Sequence, residues 1–142
     1  MAEALMKHHL EKLGVKDVEV DSAGTIDYHE GQHPDPRTIA NALEHGIDVS
    51  KYVARQFKSK DFDKFDRIYV MDSANYADVM LLADSDKQGQ KVRLFLDAAH
   101  PGSKASVPDP WYGNLEGFEK VFHIIDKAAA IIAKEISKGI LP

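Results

Sequence analysis

Residues 65–72 read FDRIYVMD, and this stretch decides the fold. The segment Arg67–Met71 has the length and composition of a buried strand. Asp72 or Ser73 can cap a helix that continues to Ala83. A strand that leads directly into a helix is the unit from which parallel sheets are built, since the chain must cross back before it adds the next parallel strand.

The same alternation of strands and helices extends outward in both directions. Val18–Ser22 alternates like a short strand before this unit, and Val92–Leu96 follows it as a third strand. Helices are predicted from Ala2 to Gly14, from Pro36 to His45 and from Phe118 to Gly139. The order predicts an α/β protein, a three-layer αβα arrangement with helices on both faces of a small parallel sheet.

The helical periodicity also predicts which side chains are structural. The first helix is expected to bury Leu5 and Met6 and to place Glu3 on its exposed face. Asp35 and Asp72 are expected to be helix caps, while Arg37 and Asn75 brace loops. Arg55 is expected to form a structural salt bridge.

Length and composition restrict the class of protein. The 142 residues correspond to one domain, and 44% hydrophobic with 29% charged residues is ordinary for a soluble protein. A net charge of -5 argues against nucleic-acid binding, and no apolar run approaches the ~20 residues that span a membrane. The first residues do not resemble a signal peptide, so a cytoplasmic location is predicted.

The chain contains no cysteine, which excludes disulfides, thiolate metal sites and a cysteine nucleophile within these residues. Its seven histidines show no zinc-ligand spacing. They are therefore predicted to be ordinary surface residues, with no metal site and no cofactor.

Ligands of open parallel sheets bind beyond the carboxyl ends of the strands, and the informative motifs are predicted to lie mostly there. They are DSAGT at 21–25, PDPR at 34–37, HGI at 45–47, ARQ at 54–56, FDRIYVMD at 65–72 with Asn75, and DPWYG at 109–113. Each motif is weak by itself. Together and in this order they resemble the low-molecular-weight protein-tyrosine phosphatases over essentially the whole chain.

The resemblance implies that one strand and one loop are absent. The family has a four-stranded sheet, and its first strand leads into a phosphate loop that contains the nucleophilic Cys and an Arg. The helix after that loop commonly begins Met-Ala-Glu, and this chain begins Met1-Ala2-Glu3. Residues 1–142 are thus expected to be a single, N-terminally truncated phosphatase-like domain.

The resemblance also implies an activity, namely hydrolysis of phosphotyrosine proteins or small aryl phosphates through a phosphocysteine. Asp109 would be the general acid, although spacing alone favours an ordinary Asp-Pro turn. Trp111 and Tyr112 would wall the aromatic cleft, and Tyr28 is either the opposite wall or an ordinary loop residue. Ser22 would brace the phosphate loop. Without the nucleophile, the chain as given is expected to be inactive.

Two alternatives remain open at this level. The chain can be a non-catalytic remnant that binds a ligand or partner, or it can be related to arsenate reductases, whose redox relay requires thiols. In the family that the chain resembles, the absent strand lies inside the sheet, so its loss would expose backbone on its two neighbours, Val18–Ser22 and Arg67–Met71. The sequence therefore predicts self-association through the incomplete sheet.

Overall fold

The computed structural model describes residues 1–25, 31–108 and 115–140. Its elements are α1 (Ala2–Lys12), α2 (Pro36–Glu44), α3 (Asp61–Lys64), β1 (Ile68–Val70), α4 (Ser73–Met80), α5 (Asp86–Gly89), β2 (Val92–Leu94), α6 (Phe95–Ala99) and α7 (Leu115–Ser137). Among these helices, none is both long enough and apolar enough to cross a bilayer.

The sheet is built from the two strands that flank α4. β1 and β2 pair in parallel, with Ile68 opposite Val92 and Val70 opposite Leu94. This confirms the predicted strand–helix–strand unit. The second strand was expected to reach Leu96, but it ends at Leu94 because the chain turns into α6, which buries Phe95 and Leu96.

Alternate residues of β1 point into different helical layers. Ile68 and Val70 pack with Phe62 and Val79 in a small cluster beside α3 and α4. Tyr69 packs against the larger core that α1, α2, α6 and α7 share. Because successive strand residues face opposite sides of a sheet, helices cover both faces. The predicted αβα arrangement is confirmed.

The larger core is organised around α7, which contacts α1, α2 and α6. The predicted apolar stripe of this helix is buried from Phe118 to Ile132. Ala128, Ala129 and Ala133 are completely buried. Their small side chains let neighbouring elements approach the α7 backbone closely. A hydrogen bond of 2.6 Å between His9 Nε2 and Asp126 Oδ1 links α1 to the same helix.

The predicted first strand is not formed. Val18–Ser22 is irregular, and among the described residues its continuation makes a single parallel bridge, between Gly24 and Gln56. Within the described residues β1 pairs with β2 alone, so Val18–Ser22 has no strand beside it. A strand needs a neighbour to satisfy its backbone groups, which explains why the alternating pattern alone was misleading.

The alkaline stability of the protein is expected to depend on Tyr69. Burial raises the pKa of Tyr69 to about 12, outweighing the lowering effect of Arg67 and Arg93. The pKa of a tyrosine in the unfolded chain is about 10. The stabilisation that the protonated Tyr69 contributes is therefore complete below pH 10 and is lost as the pH rises through 12. Between pH 9 and pH 11, urea titrations should show the wild type losing about 1 kcal/mol more stability than Tyr69→Phe. An equal loss in both proteins would contradict this assignment.

Candidate active site

The carboxyl end of β1 is shaped by a helix cap. Asp72 follows the strand closely, and its Oδ1 accepts a hydrogen bond of 2.7 Å from the backbone amide of Asn75. This confirms the predicted cap. An N-cap fixes where the first turn of a helix begins. The start of α4 is thereby held beside the edge where ligands of parallel sheets bind.

The chain that leads toward the DPWYG motif is anchored at the same edge. Asp97 Oδ1 accepts hydrogen bonds from the amides of Gly102, at 3.1 Å, and Lys104, at 2.9 Å, which folds this segment back on itself. The buried Val107 then donates its amide to the carbonyl of Met71 at 2.7 Å. Because Met71 directly follows β1, the backbone two residues before Asp109 is fixed at the carboxyl end of the strand.

Ser22 is held by a buried carboxylate on the first turn of α1. Its Oγ donates to Glu3 Oε1 at 2.6 Å, and Lys7 Nζ donates to Glu3 Oε2 at 2.6 Å. Glu3 is only 8% exposed, although the helical pattern placed it on the exposed face. That expectation was wrong because a carboxylate can be buried when both oxygens have donors. The hydrogen bond to Glu3 therefore fixes Ser22 beside the N-terminal end of α1.

Arg55 ties the segment around Ser22 to α3. Its Nε donates to Asp21 Oδ2 and its Nη1 to Asp61 Oδ2, each at 3.1 Å. Burial of Asp61 acts to raise the pKa of that carboxyl, but hydrogen bonds from Arg55 and the Lys58 amide outweigh it and lower the pKa. The predicted structural salt bridge of Arg55 is therefore confirmed, and Arg55 forms it with two carboxylates, those of Asp21 and Asp61.

The residues on both sides of 26–30, Gly24 and Gly31, are hydrogen-bonded to residues 54–55. The amide of Gly24 donates to the Arg55 carbonyl at 2.8 Å, and the amide of Gly31 donates to the Ala54 carbonyl at 2.8 Å. Gly31 has φ 85°, a conformation that favours glycine. Since Ala54 and Arg55 are adjacent, Gly24 and Gly31 are brought close together.

Of the predicted site residues, Ser22 is the one that the structure describes. Asp109, Trp111, Tyr112 and Tyr28 lie outside the described residues, and their roles stay predictions. Glu3 was missed as a partner of Ser22. The signal that could have found it is Lys7, one turn further along α1, which forms an i,i+4 ion pair with it.

The two motif residues at the start of α2 are structural, as predicted. Asp35 Oδ1 accepts from the amide of Arg37 at 2.8 Å and caps the helix. The Arg37 guanidinium holds the pKa of Asp35 below its usual value and lies 4.7 Å from the ring centre of Phe118. These contacts dock the start of α2 on the first turns of α7.

The protein is an α/β protein in which the capped start of α4 and the anchored Val107 lie at the carboxyl end of the parallel strand β1. The model of the family "low molecular weight phosphotyrosine protein phosphatase" matches residues 1–140. The chain therefore belongs to this family, as its motifs predicted.

Individual relatives agree with the family match. A low molecular weight protein-tyrosine-phosphatase of Streptomyces coelicolor is 37% identical, over 91% of this chain and 80% of its own length. A low molecular weight phosphotyrosine protein phosphatase of Schizosaccharomyces pombe is 39% identical, over 83% of this chain and 76% of its own. The crystal structure of a protein tyrosine phosphatase from Entamoeba histolytica, with Hepes in its active site, superposes with a TM-score of 0.88 at 32% identity. That superposition covers 97% of this chain and 88% of the other.

The contact between Ser22 and Glu3 should contribute measurably to stability. Ser22→Ala removes a hydrogen bond to a buried carboxylate and should lower the free energy of unfolding by about 1–2 kcal/mol in urea titrations. Lys7→Ala removes the other donor, but the Lys7 side chain is half exposed, so its loss should cost no more than about 1 kcal/mol. A larger cost for Lys7→Ala than for Ser22→Ala would contradict this account of the pair.

Proposed function

We propose that this chain provides the general acid and the aromatic cleft of a phosphatase site for phosphotyrosine proteins or small aryl phosphates. Asp109 is the acid, Trp111 and Tyr112 form one wall of the cleft, and Tyr28 forms the other. The observation that carries the proposal is the 2.7 Å hydrogen bond from Val107 to Met71, at the carboxyl end of β1. The match of residues 1–140 to the phosphatase family supports it.

In the proposed reaction, Asp109 acts first as the general acid and then as the general base. A cysteine thiolate attacks phosphorus and forms a phosphocysteine, while the bond from phosphorus to the phenolic oxygen breaks. The carboxylic acid of Asp109 gives its proton to that oxygen, so the leaving group departs as a neutral phenol. Water then hydrolyses the phosphocysteine, with the Asp109 carboxylate taking its proton. Aromatic walls suit this substrate because flat rings stack on each other.

The 142 residues contain no cysteine, so they have no thiolate for the first step. We therefore expect no phosphatase turnover from this chain by itself. A chimera in which the first strand and phosphate loop of a relative precede Met1 would supply the nucleophile and the phosphate-binding amides. Its activity toward aryl phosphates tests whether these residues complete a phosphatase site.

In that chimera, Asp109→Asn should lower turnover of substrates with poor leaving groups by about 10²–10⁴-fold. Substrates with good leaving groups, which depart without a proton, should be affected much less. Leaving-group dependence of kcat over a series of aryl phosphates measures the difference.

The control for this experiment is Asp97→Asn, which makes the same chemical change at a carboxylate that accepts backbone hydrogen bonds in the preceding part of the loop. Any loss of turnover that it causes should be the same for all substrates. An equal loss on all substrates for Asp109→Asn would refute its role as the acid.

We further propose that the chain self-associates through its incomplete sheet. Val18 is 39% exposed, and residues 18–22 have no strand partner within the described part of the chain. β1 is an edge strand in that part of the chain. An exposed edge can add a strand from a second copy.

Val18→Lys should weaken this association, and the matched substitution Leu81→Lys, at an 83% exposed leucine of the α4 C-cap, should not. Sedimentation velocity over a range of concentrations gives the fraction of dimer for each protein. A wild type that stays monomeric throughout, or equal effects of both substitutions, would contradict the proposal.

A non-catalytic ligand-binding role is the second candidate, and the absence of cysteine favours it. Binding of an aryl phosphonate by the unmodified chain, measured by calorimetry without turnover, would support this role. The arsenate reductase alternative needs thiols that these residues lack. The cytoplasmic location inferred from the sequence stays a prediction.

A further inference from the structure

The structure brings two histidines and a glutamate together where α2 ends against α7. His45 is the C-cap of α2, and Glu119 and His123 lie one turn apart on α7. His45 Nε2 is 2.6 Å from Glu119 Oε1, and His123 Nε2 is 2.8 Å from the same oxygen. The three candidate ligand atoms all lie within 4.8 Å of one another.

Neighbouring side chains orient this cluster, which we call the His–Glu–His cluster. The His45 ring stacks on Phe122 with a centroid distance of 4.0 Å and an interplanar angle of 11°. Asn41 is only 7% exposed, and its Nδ2 donates to Glu119 Oε2 at 2.8 Å. This contact leaves Oε1 turned toward the two imidazoles. Outer contacts of this kind fix the direction of ligands in metal sites.

A buried polar atom near the cluster has no hydrogen-bond partner among the described residues. Asn41 Oδ1 is buried and accepts no hydrogen bond from the described residues. Buried polar atoms usually have a partner in a protein or in ordered water. Asn41 Oδ1 can therefore accept a hydrogen bond from one further donor, such as an ordered water.

We propose that the His–Glu–His cluster binds Zn²⁺. Two imidazole nitrogens and one carboxylate oxygen form a ligand set that zinc uses in proteins, with water completing the coordination. Ligand atoms around tetrahedral zinc lie about 3.4 Å apart, so the two contacts to Glu119 Oε1 must widen by roughly 0.6–0.8 Å. The His123 side chain is 61% exposed and has room to make this adjustment.

A bound ion would connect the end of α2 to the start of α7. Glu119 lies four residues after Leu115, the first residue of α7. The sequence predicted no metal site, because His45 is 74 residues from Glu119. The i,i+4 spacing of Glu119 and His123 on α7 was the part of this cluster that could be recognised from the sequence.

Isothermal titration of the chelator-treated 142-residue chain with zinc chloride tests the proposal. We expect one Zn²⁺ per chain and, at a zinc concentration 100-fold above the measured Kd, an increase in Tm of about 5–10 °C. His123→Asn should weaken zinc binding at least tenfold. His8→Asn removes an exposed histidine of α1 outside the cluster and should leave zinc binding unchanged.

Glu119→Gln provides a second variant that keeps the shape of the side chain and should also weaken binding at least tenfold. Circular dichroism without zinc checks that each variant is folded. Three results would overturn the proposal: no binding below millimolar zinc, equal affinities of wild type and His123→Asn, or an equal loss in His8→Asn.

Discussion

The packing of α7 against α1 is the interaction on which the rest of the structure depends. The sheet has two short strands within the described residues, so it cannot supply the main core by itself. The completely buried Ala128, Ala129, Ile132 and Ala133 supply it instead, and they let α1, α2 and α6 share one apolar cluster. Interiors are close-packed, and small residues at a helix contact permit that density. Because α1 is held on α7, its first turn is fixed relative to the sheet.

This arrangement determines how the candidate site is supported. Glu3 on the first turn of α1 binds Ser22, Arg55 binds Asp21, and Met71, directly after β1, binds the amide of Val107. These three contacts come from different parts of the chain, and they hold the segments that lead toward Tyr28 and Asp109. Loops positioned by a rigid scaffold are where binding and catalytic residues concentrate. The proposed roles of Asp109 and its aromatic neighbours depend on this scaffold.

The features that could be predicted from the sequence are those that depend on residues close together in the chain. Asp35 and Asp72 are recognisable as caps because the cap and its amide lie two or three residues apart. The apolar stripe of α7 is visible at helical spacing. The failures concern partners distant in the chain. Residues 18–22 alternate like a strand but lack a neighbour, and Glu3 is buried through Ser22, which is 19 residues away. The contact of His45 with Glu119 is also tertiary, so a motif search along the chain does not detect it.

The central claim is that α7 and its partners hold this fold while residues 18–22 remain outside the sheet. Native-state hydrogen exchange at a concentration where the chain is monomeric tests it directly. We expect the amides of residues 128–133 to exchange only through global unfolding, and those of residues 18–21 to exchange nearly as fast as in an unfolded chain. Protection of residues 18–21 equal to that of α7 would mean that the segment is paired in a sheet, and it would contradict this account.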